Sequence, residues 1–444
     1  MGSSHPIPCS ARSITTLRSS TIAAGCALAL AIVAFPSRAA GVPPLNEVEA
    51  ARRICAEGPG AALARAEQLQ GEAAVTAADL LPNPTLVIEH QQTVRGPSDR
   101  ETTVGLSVPL GLGGRRFVLQ DAAQARRAQA LANARATRFE AALAFREAYA
   151  AATLDAARLD VLAQHQASLD ALTTKIQGLA RGGESAGYDL LRQATQARLH
   201  RRLVASMQAR AAASRTLLEA WTGEPVTLAA VDLAKLAGGG QPRGAAPAGL
   251  GAPAAPPRVE GLEAAARASA LEAQAARRRW VPEVEVFAGY RVLSSADSRT
   301  GHGIAVGLTV PLTFFDHGQG EAAQADASRA AAAASAGVLR RENAAHAKAT
   351  AARLGILEAS AADLDRAVAD GAALEAQAGK LYAAGESSIA ELLDALRAAE
   401  EVRLARIDLV EEIVLARLAR MRALGTLLDA TLDKACGGPG GAGR

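Results

Sequence analysis

The stretch Val104-Gly105-Leu106-Ser107-Val108-Pro109-Leu110 occurs again 202 residues later, as Val306-Gly307-Leu308-Thr309-Val310-Pro311-Leu312. The same offset relates two further pairs of landmarks: Gly183-Glu184-Ser185 with Gly385-Glu386-Ser387, and Gly223 with Gly425. A fixed offset shared by several separated landmarks is the signature of an internal structural repeat. We therefore expect the two halves of the chain to be built alike.

The repeated stretch alternates apolar and small or polar residues, which is typical of a β-strand with one apolar face. Similar alternation covers Val284 to Arg291 and Ile304 to Val310, whereas Leu86 to Val94 is the least regular of the four. Polar loops join these segments in pairs, so we predict four strands in two β-hairpins. The alternation fits a membrane sheet and also the edge of a soluble β-sandwich, because membrane strands give a weak sequence signal.

Long helices are predicted after each hairpin. The segments from Gly114 to Ala180 and from Gly318 to Ala384 contain no proline, and each would form a helix of about 67 residues and about 100 Å. Sevenfold spacing predicts a coiled-coil seam, formed by Leu364, Gly371 and Ala378 together with Ala367, Leu374 and Leu381. In the first half, a helix of about 37 residues precedes the hairpin and one of about 36 residues follows the glycine tip. Stacked end to end, these two shorter helices would match the first long helix in length.

These patterns predict the following organisation: a signal peptide at 1–39, a first repeat at 40–235, a Gly/Pro/Ala-rich linker at 236–258, a second repeat at 259–430, and a flexible tail at 431–444. The leader has a basic start at Arg12 and Arg18, an apolar run from Thr21 to Phe35, and small residues before the expected cleavage site. An uncleaved anchor or a buried helix is the alternative interpretation of that run.

Composition argues against nucleic-acid binding and against catalysis. The net charge is +3, and Arg12, Arg18 and Arg38 are the only charged residues of the leader, so the mature part is neutral (3 − 3 = 0). Aromatic residues make up only 3% of the chain, fewer than a compact enzyme core normally uses. The seven histidines, including His165, His200 and His346, are scattered without metal-ligand spacing, so we expect no catalytic residue, metal site or cofactor.

Two cysteines lie outside the leader, Cys55 near the start of the first repeat and Cys436 in the tail. In an oxidising compartment such a pair can form a disulfide. Two separate thiols are an equally good interpretation of the sequence.

Four strands with one apolar face define a minimum assembly if they enter a bilayer. Every backbone polar group in a bilayer must be paired within protein, which excludes an open four-stranded sheet. Because a barrel of about eight strands is filled by its own side chains, an open pore from this chain requires at least three copies. We therefore expect a homotrimer with a 12-stranded transmembrane β-barrel in contact with membrane lipid, built from a mainly α chain with a small β part.

The layout resembles the TolC family of trimeric outer-membrane efflux channels over essentially the whole mature chain. The resemblance rests on Leu81-Pro82-Asn83-Pro84, the Val-Pro-Leu strand ends and the Gly-Glu-Ser tips. Two further segments are most similar to the cobalt-zinc-cadmium resistance branch: Gly113-Gly114-Arg115-Arg116 and Pro311-Leu312-Thr313-Phe314-Phe315-Asp316. The resemblance implies an outer-membrane location, in contact with outer-membrane lipid, with a large periplasmic portion.

The resemblance also implies partners and site residues. The helix tips, Gly183-Glu184-Ser185 and Gly385-Glu386-Ser387, would dock onto a periplasmic adaptor protein that connects the channel to an inner-membrane pump of the RND type. The positions that match the family's periplasmic gate are Asp189, Tyr382, Glu391 and Asp394. Ser387 stands where the best-known relative has an arginine, so a lock through that arginine is not expected here. Glu391 and Asp394 also fit an ordinary solvated acidic helix face.

The resulting functional prediction is a passive channel subunit of a tripartite efflux system, with heavy-metal cations as one candidate cargo. The alternative is a non-channel periplasmic coiled-coil protein, structural or adaptor, whose hairpins form a soluble tip. Trimers in outer-membrane fractions would distinguish the first interpretation from the second.

Overall fold

The computed structural model of the chain describes residues 45–95, 99–181, 187–228, 255–295 and 299–427, together with positions 232, 233, 236, 432 and 436. The predicted signal peptide and most of the predicted linker and tail lie outside the described residues. Secondary structure within the described ranges is mainly helical, with one small sheet.

The first repeat begins with two helices, α1 (Glu47–Glu57) and α2 (Pro59–Asp79). The Asn46 side chain caps α1 by accepting hydrogen bonds from the backbone N–H groups of Val48 and Glu49, at 3.1 and 3.3 Å. The sequence predicted one helix of about 37 residues here, and that prediction is wrong. Proline disfavours the helical conformation in the residue before it, and Gly58, which precedes Pro59, is extended.

The four predicted strands form one antiparallel sheet in the order β1-β2-β3-β4. Its strands are β1 (Thr85–Gln92), β2 (Arg100–Leu110), β3 (Val284–Ser294) and β4 (Thr300–Thr309). The central pairing of β2 with β3 joins the two repeats, and it places Val104 opposite Tyr290 and Leu106 opposite Ala288.

Each hairpin is followed by a long helix and a shorter returning helix. In the first repeat these are α3 (Arg115–Arg181, 67 residues) and α4 (Gly187–Thr222, 36 residues). In the second repeat, α5 (Pro257–Arg277) and a 3-10 turn (Arg278–Trp280) precede the hairpin. The helices α6 (Gln319–Ala384, 66 residues) and α7 (Ile389–Leu424, 36 residues) follow it. The matching lengths confirm the two structural repeats.

Glycine ends the returning helix in the same way in both repeats. Gly223 after α4 has φ +72°, and Gly425 after α7 has φ +69°. Left-handed backbone of this kind is accessible to glycine without a steric penalty, and it satisfies the last carbonyl groups of a helix. The shared offset of this glycine pair in the sequence therefore reflects a shared helix-termination geometry.

Short helices pack along the long ones, as the lengths predicted. The long helix α3 packs against α2 and α4, and α6 packs against α5 and α7. Where α6 meets α7, a Cβ atom on Gly371 would lie 3.3 Å from the Cα atom of Ala399. The small residue thus allows the two helix backbones to approach closely.

Only one of the two heptad positions that form the predicted seam on α6 is buried. Gly371 and Ala378, which share one position, are buried against α7, while Leu374 and Leu381, which share the other, are 48% and 36% exposed. A coiled-coil seam normally buries both positions. One apolar edge of α6 is therefore still exposed in the single chain.

A buried core near the middle of α3 contains the largest fully buried side chains, among them Phe145, Leu143 and Leu218. Within this core a disulfide joins Cys55 of α1 to Cys436, with a Cα–Cα distance of 5.0 Å. The start of the first repeat is thereby tied covalently to the C-terminal segment. Of the helices in the described ranges, none combines the length and apolar character needed to cross a membrane.

Candidate functional site

The sheet presents one continuous apolar face that no other described residue covers. Residues directly opposite each other in neighbouring strands lie on the same face, and the register aligns Ile88, Val104, Tyr290 and Ile304 across all four strands. The side chains on this face are exposed: Ile88 by 65%, Ile304 by 81% and Val306 by 77%. An exposed apolar face that runs across all four strands marks a contact surface for a membrane or for another protein.

The opposite face of the sheet is polar and partly buried. Thr103 and Ser107 are buried there, and the Ser107 hydroxyl donates a hydrogen bond to Oε2 of Glu285 at 3.1 Å. The Phe287 ring lies over the paired glycines Gly105 and Gly289. A Cβ atom on either glycine would come within 2.7 Å of the ring, so only glycine leaves room for it. The two faces therefore differ in polarity as the sequence alternation predicted.

The tip of the second helical hairpin is a glycine turn. α6 ends at Ala384, and Gly385 follows with φ +77°. The backbone N–H of Glu386 donates to the carbonyl of Leu381 at 2.9 Å, and that of Gly385 donates to the carbonyl of Tyr382 at 3.2 Å. This pair of hydrogen bonds is the Schellman arrangement, which satisfies the last carbonyls of the helix.

The returning helix α7 begins with a capping box formed by Ser388 and Glu391. The Glu391 backbone N–H donates to the Ser388 hydroxyl at 3.3 Å, and the Ser388 backbone N–H donates to Oε2 of Glu391 at 3.1 Å. Because both groups are otherwise unpaired at a helix start, the box stabilises α7. Glu391, a predicted gate residue, thus also has a structural role that its S-x-x-E spacing could have indicated.

The predicted gate residues of the second repeat lie close together near this tip. Tyr382 is half-buried and packs on a small apolar cluster, with the Lys175 ammonium 5.2 Å from its ring centroid. Glu391 and Asp394 are exposed on α7, and Asp394 lies 3.9 Å from Arg397. The Ser387 hydroxyl is buried, and it has no hydrogen-bond partner among the residues that the structure describes.

The first tip, Gly183, Glu184 and Ser185, lies outside the described residues. Asp189 is part of α4, but its side chain is also outside what the structure describes. The gate and docking roles of both tips therefore stay predictions.

Three buried polar residues, which the sequence did not bring together, meet where α3, α4 and α7 pack. His165 of α3, His200 of α4 and Glu400 of α7 are each at least nine-tenths buried. Nε2 of His200 lies 2.8 Å from Oε1 of Glu400, and Nε2 of His165 lies 3.4 Å from its Oε2. The imidazole ring centroids are 4.6 Å apart. The expectation of isolated histidines does not hold for this pair.

Burial lowers the pKa of His165, and the nearby charges of Glu400, His200, Glu375 and Arg397 modify that effect in both directions. A lowered pKa favours the neutral imidazole at neutral pH. A neutral imidazole has a free lone pair on one ring nitrogen.

A second buried polar group connects the two repeats nearer the sheet. The Arg158 guanidinium of α3 donates to Asp408 of α7 at 2.7 Å and also contacts Glu411. Burial by itself would lower the pKa of Arg158, but hydrogen bonds to these two carboxylates raise it above its ordinary value. Asp155, 3% exposed, contacts Arg158 at 3.2 Å and Arg210 at 3.0 Å.

The architecture defines a mainly α chain of two repeats with a small antiparallel sheet, which is the TolC-like fold. The solved structures with this fold include CusC, in a study of transmembrane channel formation, at TM-score 0.67 and 17% identity over 86% of this chain and 92% of that chain. The outer membrane protein VceC of Vibrio cholerae has TM-score 0.66 and 15% identity over 86% and 96%. The outer-membrane channel OprN has TM-score 0.68 and 17% identity over 85% and 90%. No known family profile and no curated protein matches the chain by sequence.

Proposed function

We propose that this chain is the outer-membrane channel subunit of a tripartite efflux system. The observation that carries the proposal is the sheet: it has an exposed apolar face, and its outer strands β1 and β4 each pair with only one neighbour within the described residues. In a lipid environment, each unpaired backbone N–H or C=O group of a strand edge costs on the order of several kcal/mol. Such a sheet therefore requires closure by further strands.

Closure by identical chains accounts for both the sheet and the helices. Three copies supply twelve strands, which is enough for a barrel with an open interior. The apolar edge of α6 at Leu374 and Leu381, exposed in one chain, would pack on a helix of the neighbouring copy. A closed ring of identical subunits also leaves no strand edge free for aggregation.

The proposed route for solute starts at the helix tips and ends at the barrel. The tips at Gly183-Glu184-Ser185 and Gly385-Glu386-Ser387 would dock onto a periplasmic adaptor, which joins the channel to an RND-type pump. In a trimer, the exposed carboxylates of Glu391 and Asp394 would be repeated around the axis and, with Asp189, would make the entrance negatively charged. Tyr382 would help to narrow it. Because position 387 is a serine and not an arginine, closure of the entrance would rest on packing such as that of Tyr382 with Lys175.

Heavy-metal cations are the cargo class that the motif resemblance favours, through Gly113-Gly114-Arg115-Arg116 and the segment from Pro311 to Asp316. A ring of carboxylates at the entrance would favour cations over anions. Deletion of the gene should then raise sensitivity to cobalt, zinc or cadmium, and plasmid-borne wild type should restore resistance. Unchanged sensitivity to metals, dyes and antibiotics alike would count against an efflux role.

Membrane insertion is tested most directly by a pair of neighbouring substitutions on β4. Ile304 lies mid-strand on the apolar face, 81% exposed, whereas its neighbour Ala305 lies on the other face, opposite Gly289. An arginine on the lipid face of a barrel costs about 2–4 kcal/mol at mid-membrane, and lumen substitutions are tolerated better. We expect Ile304→Arg to abolish heat-modifiable trimers in outer-membrane fractions and Ala305→Arg to retain them. A wild-type chain found as a soluble periplasmic protein would support the coiled-coil structural alternative instead.

A further inference from the structure

The buried cluster of His165, His200 and Glu400 has the composition of a metal site. Its three ligand atoms all lie within 4.8 Å of one another, and each comes from a different helix. Two imidazoles and one carboxylate form a ligand set that binds zinc in proteins, with a fourth position for water. Ligands about 2.0–2.1 Å from a tetrahedral ion are about 3.3 Å apart. Nε2 of His165 lies 3.4 Å from Oε2 of Glu400, close to that spacing, whereas Nε2 of His200 lies 2.8 Å from the other oxygen, Oε1, so this contact would lengthen when an ion binds.

The hydrogen bonds around His200 fix which of its ring nitrogens carries a proton. Nε2 of the Gln166 amide donates to Oδ1 of Asp170 at 3.0 Å. Its Oε1 atom must therefore face Nδ1 of His200, 3.0 Å away. Because an amide oxygen only accepts, Nδ1 carries the proton. A neutral His200 then presents the lone pair of Nε2 to Glu400.

That arrangement leaves two acceptors facing each other, since Nε2 of His200 and Oε1 of Glu400 are 2.8 Å apart. A positive species must lie between or beside them, either a proton or a metal ion. A proton on Nε2 of His200 would satisfy this pair, and an Nε2–H of His165 could face the other oxygen of the carboxylate. A metal ion would instead be bound by both imidazoles and the carboxylate at once.

We propose that this cluster binds one borderline divalent cation of the zinc class per chain. Imidazole ligands suit Zn²⁺, Co²⁺, Ni²⁺ and Cu²⁺, whereas Mg²⁺ and Ca²⁺ prefer sites made of oxygen atoms. The hydrogen bond from Nδ1 of His200 to Gln166 is the support that metal-binding histidines normally have, because it orients the ring and fixes its tautomer.

The bound ion would fasten the two repeats to each other. His165 and His200 belong to the first repeat and Glu400 to the second, so the ion would join α3 and α4 to α7. The positions 202 residues away in the other repeat are Ala367, Val402 and Arg198, which cannot form the same site. The chain therefore offers this ligand set once and does not repeat it at the equivalent positions. The proposal that an ion binds here does not depend on a role in transport.

The test uses the purified full-length protein in detergent, freed of affinity tags and treated with a chelator. Titration with Co²⁺ should produce the visible absorption of a tetrahedral complex at one ion per chain, and Zn²⁺ should displace it. Glu400→Gln keeps the size of the side chain but lacks the anionic ligand, so it should abolish the Co²⁺ spectrum. His346→Gln, which changes an exposed histidine of α6, is the matched control and should bind as the wild type does.

A third variant separates loss of binding from loss of folding. Gln166→Met removes the support of His200 while leaving all three ligands, and a loss of this kind typically weakens metal affinity by about 10–100-fold. Circular dichroism should show a native helix content for every variant. Absence of Co²⁺ binding by the wild type would overturn the proposal and leave a proton between His200 and Glu400, and unchanged binding by Glu400→Gln would overturn it as well.

Discussion

Arg158 of α3 and Asp408 of α7 are 250 positions apart in the chain, yet Nη2 of Arg158 donates a hydrogen bond to Oδ1 of Asp408 at 2.7 Å. The side chain of Arg158 is 10% exposed. It also contacts Asp155 of its own helix, whose side chain is 3% exposed. One guanidinium group therefore neutralises carboxylates from both repeats in the interior of the helical part.

We expect Arg158→Met to destabilise the protein. Breaking a buried ion pair costs about 3–5 kcal/mol when the remaining charge is left uncompensated. The loss here should be at or below about 3 kcal/mol, because Asp155 keeps its contact with Arg210 at 3.0 Å and Asp408 is 61% exposed. The matched control is Arg366→Met, because Arg366 pairs with Asp363 on the surface with both side chains more than 70% exposed, and such pairs contribute about 0–1 kcal/mol. Thermal unfolding should show a large shift for the first variant only. Equal shifts would contradict a special role for the buried group.

The disulfide between Cys55 and Cys436 should also stabilise the chain. It closes a loop across 381 positions of sequence, and removal of a native disulfide typically costs about 2–5 kcal/mol. The double variant Cys55→Ser/Cys436→Ser should unfold at a lower temperature than the wild type, and a reducing agent should lower the unfolding temperature of the wild type alone. A double variant as stable as the wild type would show that the bond closes without stabilising.

Gly105 should tolerate no larger residue. A Cβ atom there would lie 2.5 Å from the Cα atom of Gly289 and 2.6 Å from the Phe287 ring. Gly105→Val must therefore displace the ring or separate β2 from β3, and overpacking of this kind costs about 1–3 kcal/mol. Gly303→Val on β4 is the control, because a Cβ atom there would meet nothing within 4 Å. We expect the yield of folded, membrane-inserted protein to fall for Gly105→Val and to stay near wild type for Gly303→Val.

The proposed gate makes an electrical prediction. If Glu391 and Asp394 line the entrance of a trimer, Glu391→Gln/Asp394→Asn should reduce the preference for cations of single channels in planar bilayers, because rings of carboxylates favour cations. The control is Glu342→Gln, which removes one negative charge from an exposed position on α6. Wild-type selectivity in the double variant would assign these carboxylates to an ordinary solvated helix face. The capping box of Ser388 with Glu391 also predicts a slight loss of helix stability for Glu391→Gln, so folding should be checked by circular dichroism.

Several elements were predictable because their signals are local. Long proline-free segments predicted α3 and α6 to within two residues, and alternation predicted all four strands. The break between α1 and α2 was missed, although Pro59 signals it in the sequence. At the second tip, Ser388 and Glu391 have the spacing of a capping box, a signal that was present but was interpreted only as an acidic gate position.

Two groups could not be predicted, because they depend on contacts between distant segments. His165, His200 and Glu400 have no mutual spacing that identifies a cluster, and they meet only through the packing of three helices. The same holds for Arg158 with Asp408 and Glu411. The pairing of Cys55 with Cys436 was one of two open possibilities until the fold brought their Cα atoms to 5.0 Å.

The sequence by itself therefore determined the repeat, the strands with their apolar face, and the lengths of the two long helices, since periodicity and proline act on the backbone within a few residues. Val104 to Leu110 and its copy at Val306 to Leu312 carried that information without any knowledge of the fold. Only the tertiary structure decided which polar side chains meet in the interior. Those contacts depend on the rotation and register of helices about 100 Å long, and neither quantity is encoded in any single stretch of the chain.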